Sequence, residues 1–297
     1  MIDLFLDYLR FERNRSMLTV QRYERSLRDF QQYFETKDGN ITWATVDADL
    51  IREWMETLVD KGNKPTSVNA DLAALRTFFR FALARNFIEC DPARQVTGPK
   101  KQKILPVFMK EKEMDELLDE QAWGDDYNDV RARTIILLLY ETGIRRAELV
   151  GLDDKDIDFD SCQLKVTGKR NKQRIVPFGE ELKAELKRYM DIRDQQMDKK
   201  STALFLGRRG ERLAYEQVYT IVRNGLSRVT TMKKRSPHVL RHTFATTLLN
   251  HRAGLESVRK LLGHESLETT AIYTHTTFEQ LRQVYKEAHP RGGKKPL

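Results

Sequence analysis

The chain has 297 residues, and its 52 Lys and Arg against 44 Asp and Glu give a formal net charge of +8. That length suits two domains, and the basic excess suits a polyanionic partner. A composition of 40% hydrophobic and 32% charged residues excludes wholesale disorder.

The longest apolar run, Ile135 to Tyr140, is far short of the roughly 20 residues a membrane-spanning helix needs. Asp3 and Asp7 stand where a secretory signal carries basic residues, so a cytoplasmic protein with no membrane span is expected. Cys90 and Cys162 are far apart and lack CxxC spacing, which supports neither a disulfide framework nor a thiolate zinc site.

Residues 1–90 read as helices only. Val20, Tyr23, Leu27, Phe30 and Phe34 recur at spacings of three and four behind Thr19, the expected N-cap. Val68, Leu72, Leu75, Phe79 and Leu83 repeat that stripe after Pro65-Thr66-Ser67, and weaker stripes run from Leu4 to Leu9 and from Leu50 to Leu58. The pattern predicts a helical bundle with short loops. Over 91–106 the periodicity is lost in Asp91-Pro92, Thr97-Gly98-Pro99-Lys100-Lys101-Gln102-Lys103 and Pro106, which reads as an interdomain linker. Its lysines are either solvated charge or a basic strap that lies along phosphates.

Residues 107–297 are mixed. A buried helix is predicted over 130–142, ended by Gly143. Gln163-Leu164-Lys165-Val166 and Arg174-Ile175-Val176-Pro177 flank a Gly/Asn-containing turn and predict a β-hairpin. Helices return from Glu180, one of them opened by Ser236 and Pro237 as N-cap and first-turn residue.

Chemistry gathers in this second half. His238 and Arg241 sit three apart at a helix start and share a face, where N–H groups and a guanidinium can meet one anion. Alone, such a pair is more often a solvated helix face. Thr142-Gly143-Ile144-Arg145-Arg146-Ala147-Glu148-Leu149 adds arginines after a helix-ending glycine. Leu261-Leu262-Gly263-His264 ends another helix in the same way, and Tyr273 follows nine residues later. By itself Tyr273 would read as a half-buried aromatic.

Taken in order, Gly-Ile-Arg, Gly-Lys, His-x-x-Arg, Gly-His and Tyr resemble the tyrosine recombinase (phage integrase) family. SPHVLRHTFAT, LLGHESLETTAIYTH and TGIRRAEL resemble the family pattern, the flanking text resembles its Xer branch, and the closing segment with Leu281, Val284, Tyr285 and Ala288-His289-Pro290-Arg291 looks closest to XerC. The resemblance covers essentially the whole chain. It implies a mainly α fold with a small β-sheet: a SAM-like N-terminal helical DNA-binding bundle over 1–90, a basic linker over 91–106 and a mixed α+β catalytic domain over 107–297.

It also implies a site-specific DNA recombinase that cuts and rejoins strands through a 3′-phosphotyrosine, with chromosome-dimer resolution as its role. The partner implied is a double-stranded recombination site. Four protomers would assemble on it, alone or with a second Xer-type recombinase, with no metal and no cofactor. Carried over by position, the catalytic residues are Arg145, Lys169, His238, Arg241, His264 and the nucleophile Tyr273, with Glu148 in support. Lys172 and the linker residues Lys100, Lys101 and Lys103 would contact DNA, and Arg146 is an ordinary basic side chain. In the family the terminal helix docks on a neighbouring protomer. That gives the stripe of Phe278, Leu281, Val284 and Tyr285 one reading, and the core of its own protomer is the other. An integrase of a phage or transposon shares every one of these active-site residues. A non-catalytic DNA-binding protein on the same fold would have lost some of them.

The chemistry requires these residue types. A phosphodiester repels nucleophiles and gathers charge on its oxygens in the transition state, which two arginines neutralise. A tyrosine hydroxyl ionises near pH 10 and needs a base and nearby cations. The departing 5′-oxygen needs a proton, which Lys169 can supply.

Overall fold

The computed structural model describes residues 1–100, 107–168, 171–263 and 278–292. The chain divides into two compact units, Met1–Ile104 and Leu105–Leu297.

The first unit is helical. α1 (Ile2–Asp7) runs into a π-helical turn at Tyr8–Glu12 and is followed by α2 (Met17–Lys37), α3 (Ala48–Asp60) and α4 (Pro65–Ala84). α2 begins earlier than its apolar stripe predicts. Ser16, with extended backbone, is its N-cap and its hydroxyl accepts from the Thr19 N–H, so Thr19 lies inside the first turn. The stripes of α1, α2 and α4 meet in a core of Phe5, Phe30, Phe34, Phe78 and Phe79, all at most 2% exposed. Phe5 meets Phe78 edge to face with ring centroids 5.4 Å apart, a favoured aromatic geometry.

The segment expected as a linker is only partly one. Ala93 and Val96 are fully buried in this core. Arg76 donates to the carbonyls of Ala93 and Val96, and Asn69 donates to that of Pro99. Those backbone groups have been taken up by α4 side chains, so 91–99 belongs to the helical unit. Lys100 is exposed, and Lys101 and Lys103 lie outside the described residues.

The second unit opens with α5 (Glu111–Leu118) and is organised around α6 (Tyr127–Thr142). Ile135 to Tyr140 are each at most 2% exposed, the signature of a helix apolar on every side and wrapped by others. α7 (Arg146–Val150) follows a sharp turn, and β1 (Ile157–Asp158), β2 (Gln163–Thr167) and β3 (Gln173–Pro177) form an antiparallel sheet in that order. Leu164 pairs with Val176, which puts Leu164, Val166 and Val176 on one buried face. α8 (Glu180–Gln196), α9 (Tyr215–Leu226) and α10 (Pro237–Asn250) pack in a layer around α6, and α11 (Leu255–Leu262) packs on α10. Charge buried in this layer is paired, as burial demands: Arg133 of α6 donates to Glu185 of α8.

The later part of α12 (Phe278–Ala288) packs into the core of its own protomer. Tyr285 and Ala288 are 1% and 3% exposed and pack with Phe244, Leu248, Val258, Leu261 and Leu262 of α10 and α11. No helix among the described residues is long and apolar enough to cross a membrane.

Candidate active site

Four chain segments converge on one side of the second unit: the α6–α7 turn, strand β3, the start of α10 and the end of α11. Gly143 closes α6 in the left-handed region at φ 60°, and a Cβ there would lie 2.3 Å from Phe244 Cδ1. Only glycine fits both constraints, and the turn it permits aims Arg145 back across the unit.

Glu148 is the hub of the arrangement. Its Oε2 accepts from the Arg145 backbone N–H at 2.8 Å and from Arg174 Nη2 at 2.9 Å. Its Oε1 accepts from Arg145 Nη1 at 2.9 Å and from Arg174 Nη1 at 2.8 Å. Burial alone would raise the pKa of this carboxyl, but the hydrogen bonds from Arg174 and Arg145 prevail and hold it at about 2. It is ionised throughout the neutral range.

Arg241 enters from α10 at 8% exposure, where Nη1 donates to the Gly143 carbonyl and Nη2 to that of Leu262 at 2.6 Å. Burial, and after it repulsion from Arg145, lowers its pKa to about 10, which leaves it protonated at neutral pH. Three guanidinium cations therefore surround a single carboxylate, and the surplus positive charge favours an anion. Each Arg241 terminal nitrogen carries a second N–H beyond the one given to a carbonyl.

His238 lies on the exposed side of α10, one turn before His242. Desolvation lowers its pKa first, and the charges of His242, Arg241, Arg146 and Arg145 lower it further, so the ring is neutral at pH 7 and able to accept a proton. Arg145, Glu148, His238 and Arg241 are thus brought to one site. Lys169, His264 and Tyr273 lie outside the described residues. Two of their chain neighbours belong to the cluster: a Cβ on Gly168 would lie 3.3 Å from Glu148 Oε1, and the Gly263 carbonyl accepts from Arg145 Nη2 at 3.1 Å. Lys172 is exposed at the end of the hairpin, where its carbonyl accepts from the Gly168 N–H. Arg146 is held apart from the Glu148 cluster, with its guanidinium carbon 3.4 Å from the Tyr215 ring centroid and Glu216 3.6 Å away.

Arg174 is the site residue that the sequence reading passed over. One signal could have found it. Period-two alternation from the buried Val176 places residue 174 on the inward face of β3, where a cation requires a partner. Among the described residues no three His, Cys, Asp or Glu side chains group as a metal site.

The family model for the phage integrase family matches residues 107–280, and that for the phage integrase N-terminal SAM-like domain matches residues 2–86. The chain is 37% identical to tyrosine recombinase XerC of Pelotomaculum thermopropionicum over 98% of each chain. It is 36% identical to tyrosine recombinase XerC of Chlorobaculum tepidum, over 97% of this chain and 93% of that one. A XerH site-specific recombinase bound to palindromic difH substrate, 24% identical, shares the fold with a TM-score of 0.73 over 91% of this chain and 80% of that one. On likeness that spans both units, the chain belongs to the phage integrase family and is a site-specific tyrosine recombinase of the Xer type.

Proposed function

We propose that the arginine-rich cluster receives the scissile phosphate of a double-stranded DNA recombination site. Arg145 and Arg241 clamp the non-bridging oxygens, and Glu148 fixes Arg145. The observation that carries this reading is the excess of three cations over one buried carboxylate at a place where Arg241 is held by two backbone carbonyls. Preorganised charge of this kind strengthens its hold as the transition state gathers negative charge.

In this reading Tyr273 loses its proton to His238 and attacks phosphorus. The bond to the 5′-oxygen breaks, and Lys169 gives that oxygen a proton. His264 hydrogen-bonds the phosphate or steadies the tyrosine. The products are a 3′-phosphotyrosine and a free 5′-hydroxyl, and attack by a 5′-hydroxyl from a second duplex reverses the step and joins new partners. The helical unit grips the duplex, while Lys100, Lys101, Lys103 and Lys172 contact phosphates. Four protomers assemble on paired sites, alone or with a second Xer-type recombinase, and the role is resolution of chromosome dimers.

The test begins by sequencing DNA trapped covalently on the protein in its own cells, where one enriched chromosomal site is the expected result. A nicked duplex carrying that site then compares the parent with Tyr273→Phe. The variant should bind with little change and form no covalent adduct on a denaturing gel. A persistent adduct would overturn the assignment of Tyr273. Tyr285, the next tyrosine along the chain, is poorly placed to substitute, because its buried hydroxyl donates to Glu141 Oε2 at 2.9 Å.

A further inference from the structure

The last turn of α11 exposes carbonyls that its own helix cannot satisfy. Arginines occupy three of them in succession: Arg174 Nε donates to Leu261, Arg241 Nη2 to Leu262 and Arg145 Nη2 to Gly263. The negative end of the helix dipole favours this gathering of cations. Of the three, Arg174 differs in having all its nitrogens committed, with Nε on Leu261 and both terminal nitrogens on Glu148. Its side chain is 17% exposed against 39% for Arg145. Gly263 follows at φ 63°, and a Cβ there would lie 3.1 Å from three guanidinium atoms of Arg174, so the end of α11 is shaped around this side chain.

We infer that Arg174 is a positioning residue for strand cleavage. It locks Glu148 in register with the end of α11 and thereby fixes the direction in which Arg145 meets the phosphate. Lysine at this position would keep the charge but lose the fork. An ammonium cannot span both carboxylate oxygens and also reach Leu261 from one side chain. Glu148 would then be free to turn, and Arg145 with it. Displacements near 1 Å in a clamp of this kind lower rates by about 100-fold. The inference rests on the proposed phosphate clamp.

The experiment measures single-turnover cleavage of the trapped-site nicked duplex, made with either oxygen or sulfur at the bridging 5′ position, together with DNA binding and thermal unfolding of the full chain. Arg174→Lys should cleave about 100-fold more slowly than the parent on both substrates. DNA affinity should stay within a few-fold. Adding Glu148→Gln to Arg174→Lys should cost little more, since both act through one linkage. Cleavage at the parental rate would overturn the proposal. So would a loss confined to the oxygen substrate, which would place Arg174 on the side of the leaving-group acid. Losses that multiply with those of Glu148→Gln would also overturn it. If Arg174→Lys loses DNA binding or folding together with cleavage, Arg174 is structural and the proposal fails. Arg145→Ala serves as control: full cleavage by that variant would sink the clamp itself, whereas its inactivity beside an active Arg174→Lys would sink only the positioning role.

Discussion

Glu141, in the last turn of α6, is fully buried. Its Oε2 accepts from the Gly179 N–H at 2.8 Å and from the Tyr285 hydroxyl at 2.9 Å, and Oε1 has no hydrogen-bond partner among the described residues. Burial pushes its pKa from 4.5 up to about 8, with Glu181 adding to the rise and the two hydrogen bonds and Arg291 opposing it. In the unfolded chain the group ionises near its ordinary value. Between those limits the folded state keeps a proton that the unfolded state has released. The stability it contributes is therefore complete at low pH and is lost as pH rises toward 8, at about 1.4 kcal/mol per pH unit. His289, stacked on Tyr285 with ring centroids 5.1 Å apart, has the opposite slope. Burial lowers its pKa from 6.5 to about 3, so its contribution is present above 6.5 and is lost as pH falls. The two slopes nearly cancel from about pH 5 to about 6.5, and Glu141 acts alone from there to about 8. Glu141→Gln keeps an amide oxygen for Gly179 and Tyr285 and removes the titration. Across that upper interval the parent should lose roughly 2 kcal/mol relative to the variant. In a unit of this size the loss corresponds to roughly 4–8 °C in melting temperature. Thermal unfolding followed by circular dichroism at both ends of the interval measures it. Melting temperatures that run parallel for parent and variant would refute the reasoning.

Lys169→Ala should slow cleavage of ordinary DNA by about 100-fold or more, yet cleave a duplex with sulfur at the bridging 5′ position nearly as fast as the parent, because thiolate leaves without a proton. Equal damage on both substrates would remove Lys169 from the role of acid. Arg241→Ala should show no such rescue and should lose about 100-fold or more on either substrate, read in the same single-turnover assay. Cutting the chain after Thr277 removes Tyr285 and Ala288 from the core they share with Phe244 and Leu262. The truncated protein should melt well below the parent, by the equivalent of about 3–5 kcal/mol or more. An unchanged melting temperature would mean that α12 stabilises nothing in its own protomer.

The helices were legible where apolar periodicity is long, as in α2, α4 and α6. Gly143 marked the end of α6 because its left-handed conformation is a property of the residue itself. The two hairpin strands were legible by alternation, whereas β1, only two residues long, has no room to show any. Residues 91–99 read as linker because what anchors them is carbonyl groups taken by Arg76 and Asn69, and backbone carbonyls have no sequence identity. The same reason hid Arg174, whose role becomes visible only once Leu261 and Glu148 are placed beside it. Arg145 and Glu148 were legible through the family resemblance of TGIRRAEL, and their ion pair at 2.9 Å is a finding of the structure.

The packing of α12 against α10 and α11 acts on Tyr273 as a leash. At no more than about 3.6 Å per residue, the five peptide links to Phe278 confine the tyrosine within roughly 18 Å of the first residue of α12. The links to Gly263 set a second, longer radius, of roughly 36 Å, around a residue whose carbonyl already holds Arg145. While α12 stays docked, the chain lengths limit the tyrosine to the overlap of those two spheres. Shifting α12 by one helical turn, about 5.4 Å, would move the centre of the smaller sphere by nearly a third of its radius. Reach, and not only orientation, is then a variable that the docking of α12 sets.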